Sequence, residues 1–358
     1  MRIGMIAPPW FPLPPKGYGG IEFVVHLLTE GLVARGHDVT LFASGDSSTL
    51  ARLSFVYGRA PSEKIATHGH IEIIHGLEAY SQAREFDVIH DHDGLASRAM
   101  GVLVHRLVGT PVVATLHGPA DPLTQEILSS MRHGLRFIAI SEYQRDGHPE
   151  LPFVATIPNA IDIERHPYSA EKDDYLLFIG RMIADKGAHT AIEVARRLES
   201  RLIMAGKVNE EAEHAYYTDE VEPYLSDRIY FRGEVDMETK CELYRRARCT
   251  LFPIQWPEPF GLVMIESLAA GTPVIAFRRG AVPEVIEHGR TGFIVEDVDE
   301  MVEALGQIDQ IDPAECRRAA EERFGVNGFV RAHERAYRSL LEEGPAWATG
   351  SLPGPLMG

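Results

Sequence analysis

The chain has 358 residues, of which 45% are hydrophobic and 24% are charged, a composition typical of soluble globular proteins and a length typical of two domains. Its formal net charge is −17, and neither part is basic: residues 1–165 carry 13 − 18 = −5 and the remainder 22 − 34 = −12. This balance argues against nucleic acid as a partner and against docking on anionic lipid, both of which require basic surfaces.

The cysteine content and the amino terminus indicate a cytoplasmic protein. Three cysteines without a Cys-x-x-Cys pair favour neither a disulfide framework nor a zinc cluster, and so favour a reducing compartment. The apolar stretch after Met1 ends at Pro8, which is too short for a signal peptide. No run of about 18 apolar residues occurs, so we expect no membrane-spanning segment.

Short apolar strands alternate with helical segments along the first half of the chain. The best-defined helix is Ile21–Ala34, with Gly36 as its expected stop. The predicted strands are Ile3–Ala7, Asp38–Ala43, Asp87–His90, Pro111–Leu116 and Arg136–Ile140. Alternation of strands and helices predicts a parallel sheet covered by helices on both faces.

The second half of the chain repeats this plan. Its predicted strands are Tyr175–Ile179, Arg201–Ala205, Arg228–Phe231, Thr250–Phe252, Pro273–Ala276 and Gly292–Val295. The polar segment Ala160–Asp174 is the best linker candidate, which gives domains at 1–162 and 163–325. We therefore predict an α/β protein with two doubly wound sheets facing each other across a cleft, where ligands bind at the carboxyl ends of the strands.

Two carboxylates stand eight residues apart around the start of a predicted helix. Prolines on both sides of Glu258 keep it out of the helix, whereas Glu266 lies about 9 Å further along it. The first N–H groups, of Phe260, Gly261 and Leu262, have no partner inside the helix. A ligand with hydroxyl groups around a central negative charge fits this arrangement, and a nucleotide-sugar is such a ligand.

Two cations, Arg181 and Lys186, follow a buried strand of the second half at its carboxyl end. Fixed cations stabilise the negative charge that develops on a departing diphosphate. The alternative is a surface pair beside a helix that begins near Asp185. Because two cations can replace a metal and no Asp-x-Asp motif is convincingly placed, we predict a metal-independent site.

Glycines and histidines follow strands of the first half. Gly19 and Gly20 close a long loop after the first strand, where backbone N–H groups can approach a phosphate, although loops rich in Pro and Gly are common. His117 follows a strand at the mouth of the predicted cleft, and the alternative is an ordinary polar residue with satisfied hydrogen bonds. His90 and His92 are expected on one face of the chain. They could bind an acceptor, bind a metal, or be ordinary polar residues of a loop. No third metal ligand is evident.

Taken together, these motifs resemble the large family of retaining GT-B glycosyltransferases numbered four, whose E-x7-E motif matches Glu258–Glu266. They occur in the family's order and span nearly the whole chain. The matching segments are Gly19–Gly20, Leu116–Gly118, Ile157–Asp162, Gly180–Arg181, Lys186–Gly187, Glu258–Glu266 and Gly271–Val274.

The resemblance implies roles for single residues of this chain. Glu258 would bind hydroxyls of the donor sugar, and Glu266 would bind the ribose, since a buried carboxylate without a partner is costly. The Gly19–Gly20 loop would contact the β-phosphate, and His117 would lie near the reacting carbon. Asn159 would belong to the hinge on the acceptor side, although Ala160 replaces the family's usual glycine.

The end of the chain is predicted partly from the resemblance and partly from composition. The resemblance gives the place of the last helix, and composition gives the state of the tail. A final helix at about 326–343 would pack back on the first domain. The segment 344–358 is rich in Gly and Pro and is predicted to be disordered.

We therefore expect a retaining enzyme that moves a hexose from a nucleotide diphosphate-sugar, UDP-hexose first and GDP-mannose next, to a hydroxyl group. The acceptor would be a small molecule, a glycan or a lipid-linked molecule, and no cofactor is needed. Alternatives are a nucleotide-sugar epimerase and a non-catalytic binding protein. A nicotinamide dehydrogenase is disfavoured because Gly-x-Gly-x-x-Gly does not follow the first strand.

Overall fold

A computed structural model describes residues 1–17, 19–64, 70–118 and 122–343. The chain divides into two compact units, one formed by residues 1–159 with the segment from Val326 onward and one formed by residues 160–325. The division lies three residues before the predicted boundary. The predicted disordered tail, 344–358, lies outside the described residues. No helix within the described ranges has the length and apolar composition needed to span a bilayer.

The described residues of the first unit form a parallel sheet of seven strands. Continuous apolar runs build the central strands, as expected where helices cover both faces. The strands are β1 (Arg2–Ile6), β2 (Asp38–Phe42), β3 (Arg52–Ser54), β4 (Val88–Asp91), β5 (Val112–Thr115), β6 (Arg136–Ala139) and β7 (Phe153–Thr156). Their order is β3-β2-β1-β4-β5-β6-β7, so the chain reverses direction across the sheet between β1 and β4.

In the described part of the unit, five α-helices lie between these strands along the chain. They are α1 (Gly20–Ala34), α2 (His70–Ser81), α3 (Leu95–Val108), α4 (Pro122–Met131) and α5 (Glu142–Asp146). The predicted stop after the first helix is confirmed, since Gly36 has a φ of 83° that favours glycine. Buried side chains of the sheet and helices, among them Ile6, Phe137 and Leu128, form one apolar core.

The second unit contains a parallel sheet of six strands. They are β8 (Leu176–Ile179), β9 (Leu202–Ala205), β10 (Ile229–Phe231), β11 (Cys249–Phe252), β12 (Val274–Phe277) and β13 (Gly292–Val295). Their order is β10-β9-β8-β11-β12-β13, and the chain reverses direction between β8 and β11. In doubly wound sheets, ligands bind outside the carboxyl ends of the strands at such a reversal.

Seven helices belong to the second unit. They are α6 (Ala188–Arg197), α7 (Glu211–Glu220), α8 (Met237–Arg246), α9 (Leu262–Ala269), α10 (Val282–Val285), α11 (Val298–Leu305) and α12 (Pro313–Phe324). Several begin with an aspartate whose side chain accepts a hydrogen bond from the first turn, as Asp236 does for α8 and Asp297 for α11.

The last helix, α13 (Val326–Glu343), belongs to the first unit. It packs against α1, where Gly31 faces Val330 closely. The Glu334 carboxylate of α13 accepts hydrogen bonds from Arg35 at 2.8 Å and pairs with His37 at 2.7 Å. The final helix predicted at about 326–343 spans Val326–Glu343 in the structure.

The predicted linker, residues 160–174, packs mainly on the second unit. Ile161 is fully buried and forms a β-bridge with Gly325. The Lys172 ammonium donates to the backbone carbonyl of Ala270 at 3.2 Å. The segment's polar composition reflects these hydrogen bonds, so the prediction of a linker over its whole length was wrong.

Candidate functional site

The carboxyl ends of β8 and β11, at the reversal of the second sheet, hold the predicted donor residues. Arg181 follows β8 after a single residue, and Lys186 lies in the short turn before α6. Glu258 lies in the loop between β11 and α9. The structure therefore brings the two cations and the first carboxylate to one edge of one sheet.

Arg181 is held by two carboxylates of the second unit. Its Nε donates to Glu213 at 2.6 Å, and its guanidinium contacts Glu210 at 3.1 Å. Glu213 is fully buried and also accepts the N–H of Asn209. Burial opposes ionisation of Glu213, but the Asn209 N–H and the Arg181 guanidinium outweigh it and lower the pKa. Arg181 is thus fixed in orientation while a quarter of its side chain, 26%, stays exposed.

Lys186 and Glu258 pair directly with each other. The ammonium of Lys186 donates to Oε2 of Glu258 at 2.5 Å and lies 5.0 Å from the ring centre of Trp256. Both side chains are partly exposed, at 22% and 13%. A cation predicted to bind phosphate and a carboxylate predicted to bind sugar hydroxyls therefore lie side by side, as one bound nucleotide-sugar would require.

Two glycines with positive φ hold the loops of Lys186 and Glu258 in place. A Cβ on Gly187 would lie 2.1 Å from the carbonyl oxygen of Pro253, and one on Gly280 would lie 2.1 Å from that of Glu258. No other residue type fits such close backbone contacts without displacement. The position of the Lys186–Glu258 pair is therefore set by backbone packing rather than by flexible side chains.

The amino terminus of α9 presents free N–H groups beside this pair. Gly261 caps the helix with a φ of 89°, and Phe260 before it is buried. Within the described residues, the N–H groups of Phe260, Gly261 and Leu262 donate no hydrogen bond. Such a helix end carries partial positive charge and suits a phosphate or a polarised hydroxyl oxygen.

Glu266 is buried, as predicted, but it has partners. Lys240 donates to its Oε1 at 2.6 Å and the Tyr244 hydroxyl to its Oε2 at 3.0 Å. Burial would raise the pKa of Glu266, yet the charges of Lys240 and His166 and these hydrogen bonds outweigh it and lower the pKa. The premise that this carboxylate lacks a protein partner was wrong. Lys240 and Tyr244 were missed, although their spacing of one helical turn on α8 was a usable signal.

In the first unit, Gly19 and Gly20 stand where predicted, at the start of α1. Gly19 has a φ of 146°, and a Cβ there would lie 2.7 Å from the Pro15 side chain. Glu22 follows on the first turn and is buried, which raises its pKa to about 7. Tyr18 of the same loop lies outside the described residues.

His117 follows β5 and contacts a second predicted histidine. Its Nε2 lies 2.8 Å from Nδ1 of His92, and the two rings stack at 5.1 Å. His117 is partly exposed, whereas His92 is buried. Burial, with Arg98 nearby, lowers the pKa of His117 to about 3, so the ring is neutral at physiological pH.

His90 is fully buried and both of its ring nitrogens are occupied. Nδ1 lies 2.7 Å from the Tyr337 hydroxyl and Nε2 lies 2.7 Å from the Thr115 hydroxyl. The predicted shared face of His90 and His92 is confirmed by ring centres 3.9 Å apart. The structure gives His90 no free nitrogen for an acceptor, so the predicted acceptor contact is replaced by a structural role.

Asn159 is the last residue of the first unit before the chain enters the second. It is buried, and its Oδ1 has no hydrogen-bond partner within the described residues. Of the described residues other than glycine, Glu199 alone has a positive φ, so the backbone of Asn159 lies outside the left-handed region. Its predicted place on the acceptor side stays a prediction.

The chain matches two family profiles that together cover most of its length. The glycosyl transferases group 1 profile matches residues 161–323, and the glycosyltransferase family 4 profile matches residues 18–165. The chain belongs to glycosyltransferase family 4. The predicted GT-B fold, with its two doubly wound sheets, is confirmed by the structure and by its neighbours among solved structures.

Named relatives of this family-4 glycosyltransferase include two mycobacterial enzymes. Glycogen synthase of Mycobacterium tuberculosis is 27% identical, with 89% of this chain and 88% of the relative covered. Phosphatidyl-myo-inositol mannosyltransferase of Mycolicibacterium smegmatis is 27% identical, with 90% and 89% covered. Among solved structures, HepE of Anabaena in complex with UDP and glucose matches with a TM-score of 0.75 and 17% identity, with 95% and 100% covered.

Proposed function

We propose that this glycosyltransferase moves a hexose from a nucleotide diphosphate-sugar to a hydroxyl acceptor with retention of anomeric configuration and without a metal. One observation carries the proposal. Arg181, Lys186 and Glu258 lie at the reversal of the second sheet, next to the open amino terminus of α9. Cations for a diphosphate and a carboxylate for sugar hydroxyls are the groups that such a donor needs.

In this proposal the second unit supplies the leaving-group chemistry. Arg181 and Lys186 neutralise charge as the glycosidic bond breaks, and the N–H groups of Phe260, Gly261 and Leu262 add fixed dipoles. Glu258 orients the sugar through its hydroxyls, and Glu266 receives the ribose hydroxyls while exchanging one of its present hydrogen bonds. No side chain acts as a covalent nucleophile, and the departing diphosphate takes the proton of the incoming hydroxyl on the same face.

The first unit supplies the remaining groups. Gly19 and Gly20 bring backbone N–H groups to the β-phosphate, and His117 contacts the sugar near its reacting carbon. Asn159 belongs to the acceptor side, and the buried His92, which was predicted there too, acts through its contact with His117. The acceptor is a small molecule, a glycan or a lipid-linked molecule. We place the reaction in the cytoplasm, which three unpaired, buried cysteines favour.

UDP-hexose is the first candidate donor and GDP-mannose the second. A solved structural neighbour is a complex with UDP and glucose, and a curated relative is named as a mannosyltransferase. Thermal-shift measurements with UDP, GDP, ADP and TDP test the base, because a ligand that binds only the folded state raises the melting temperature. We expect UDP to give the largest shift, and no shift with any of the four would contradict the proposal.

An epimerase would need the same grip on the diphosphate and stays the alternative. The two reactions differ in their need for an acceptor. Incubation with the UDP-sugar alone, followed by NMR, should show an unchanged donor sugar apart from slow hydrolysis. Accumulation of the epimeric UDP-sugar would favour the epimerase, and tight binding without any turnover would favour a non-catalytic protein.

A further inference from the structure

The contact between His92 and His117 requires a defined position for one proton. Neutral imidazole carries one N–H and one lone pair, and a hydrogen bond needs one of each. Both rings are neutral, because burial lowers the pKa of His92 well below its ordinary value and that of His117 to about 3. At 2.8 Å, either Nδ1 of His92 donates to Nε2 of His117 or the reverse holds.

The other nitrogen of His92 decides between these two tautomers. Nε2 of His92 is buried and has no hydrogen-bond partner within the described residues. If Nδ1 of His92 donates, its Nε2 is unprotonated and carries a lone pair. If Nδ1 accepts, Nε2 carries the proton and is a buried N–H with no acceptor. A buried N–H without an acceptor is costly, whereas His117 is partly exposed and an N–H on its Nδ1, which is not among the buried unpartnered atoms, can donate to solvent. Donation from Nδ1 of His92 is therefore the more stable arrangement.

The ring of His92 is also held in place by the packing of His90 against it. The His90 ring packs against it at a tilt of 43° with ring centres 3.9 Å apart, and His90 is itself fixed by Tyr337 of α13 and Thr115 of β5. His333 of α13 lies 5.5 Å from the His90 ring. Rotation of His92 would break this packing, so its donor stays aimed at His117.

We propose that His92 is a positioning residue that donates from Nδ1 to Nε2 of His117, so that His117 keeps its own proton on Nδ1 and presents it as a hydrogen-bond donor to the transferred sugar. The sugar contact rests on the proposed function, whereas the tautomer does not. Within the described residues, Nδ1 of His117 makes no hydrogen bond, so it is available.

Nitrogen NMR of protein labelled with ¹⁵N-histidine measures the tautomer directly. Long-range proton–nitrogen spectra distinguish protonated from bare ring nitrogens, and the signals of His117 are those lost in His117→Gln. We expect a protonated Nδ1 and a bare Nε2 on His117 in the unmodified protein. A protonated Nε2 on His117 would overturn the proposal, and this measurement needs no substrate.

Variants of His92 separate positioning from a merely structural role. The side-chain amide of His92→Asn reaches the position of Nδ1 and can donate, whereas His92→Leu cannot. We expect Asn to keep the His117 tautomer, and Leu to lose it with kcat about 10–100-fold lower and an unchanged KM for the donor. His105→Asn, a buried histidine of the same unit outside this cluster, is the control.

The outcomes separate this inference from the proposed function. An unchanged tautomer and kcat in His92→Leu would overturn the inference while transfer itself continues. Absence of transfer with every donor would contradict the proposed function, and the NMR result would still decide the proton's position.

Discussion

At the scale of single residues, the buried acid Glu266 links stability to ligand binding. Its carboxylate is buried and depends on Lys240 and Tyr244 for hydrogen bonds. We expect Glu266→Gln to lower the free energy of unfolding by about 1–3 kcal/mol, because a charge-assisted hydrogen bond is lost inside the unit. Urea unfolding measures this value.

The control for Glu266→Gln is the same substitution at an exposed glutamate of α8, the helix that carries Lys240 and Tyr244. Glu242→Gln on α8 removes a carboxylate that pairs with Arg245 but is 53% exposed. Its effect should stay within about 0.5 kcal/mol, as for other exposed pairs. Equal stabilities of the two variants would contradict the structural part assigned to Glu266. A loss of activity in Glu266→Gln must therefore be read together with its stability.

Glu22 makes stability depend on pH. Burial raises its pKa from 4.5 to about 7, so between these values the folded protein holds a proton that the unfolded chain releases. Stability is therefore greatest below pH 4.5 as far as this group is concerned and is lost as pH rises through 7, by about 3 kcal/mol in all. Glu22→Gln should abolish that loss.

Urea unfolding of both proteins at several pH values between 5 and 8 tests the Glu22 prediction. The stability of Glu22→Gln relative to the unmodified protein should increase from pH 5 to about pH 7 and then level off. Two parallel curves would show that Glu22 titrates normally and is not buried as described.

At the scale of secondary structure, burial decided which elements the sequence could reveal. The central strands are short apolar runs, and their predicted bounds agree with the structure to within one or two residues. The two edge strands that were missed, β3 and β7, have no fully buried residue, and β3 has only three residues with a polar residue at each end. Their place follows from pairing with β2 and β6, which is a tertiary property.

The candidate site was predictable where a local motif carries the chemistry. The prolines and glycines that place Glu258 and Gly261 at the start of a helix lie within a few residues of one another in the sequence. The end of the strand before Arg181 is equally visible in a short stretch. The ion-pair partners were not predictable in this way, because Glu213 is 32 residues from Arg181 and Lys240 is 26 residues from Glu266. Such pairs form only when elements far apart in the sequence meet in the folded unit.

The contact between α1 and α13 tests how tightly the last helix is held. A Cβ on Gly31 would lie 2.4 Å from Cγ2 of Val330, closer than van der Waals contact allows. We expect Gly31→Ala to destabilise the protein by about 1–2 kcal/mol, since overpacking outweighs the gain in helix propensity.

A double-mutant cycle isolates this contact. Val330→Ala alone should also destabilise by emptying buried space, but in its background Gly31→Ala should become neutral or stabilising. Additive effects in urea unfolding would contradict the close packing of the two helices.

At the scale of the whole molecule, the chain leaves the first unit, builds the second and returns with α13. All proposed donor groups except Gly19, Gly20 and His117 therefore lie in one continuous segment, residues 160–325. This segment has its own apolar core. The plan of two doubly wound sheets was predictable from the alternating pattern, whereas the return of the last helix rested on family resemblance.

Because the second unit is one continuous segment of the chain, we predict that this segment folds when expressed alone. Residues 160–325 expressed alone should unfold cooperatively and show a rise in melting temperature with UDP, without transferring sugar. Full-length protein serves as the reference for the size of the shift. A fragment that folds yet does not respond to a nucleotide that shifts the full chain would contradict the assignment of the donor groups to this unit.

The charge of Lys186 tests the central claim most directly, since it pairs with Glu258 and is proposed to neutralise the departing diphosphate. Lys186→Met keeps most of the side chain's volume and removes the charge. The control is Arg197→Ala, which removes two exposed ion pairs of the same unit, with Glu193 and Asp299. Steady-state transfer kinetics with the best donor should show kcat lower by about 100–1,000-fold for Lys186→Met, with a melting temperature close to that of the unmodified protein. Full turnover in Lys186→Met would contradict the account.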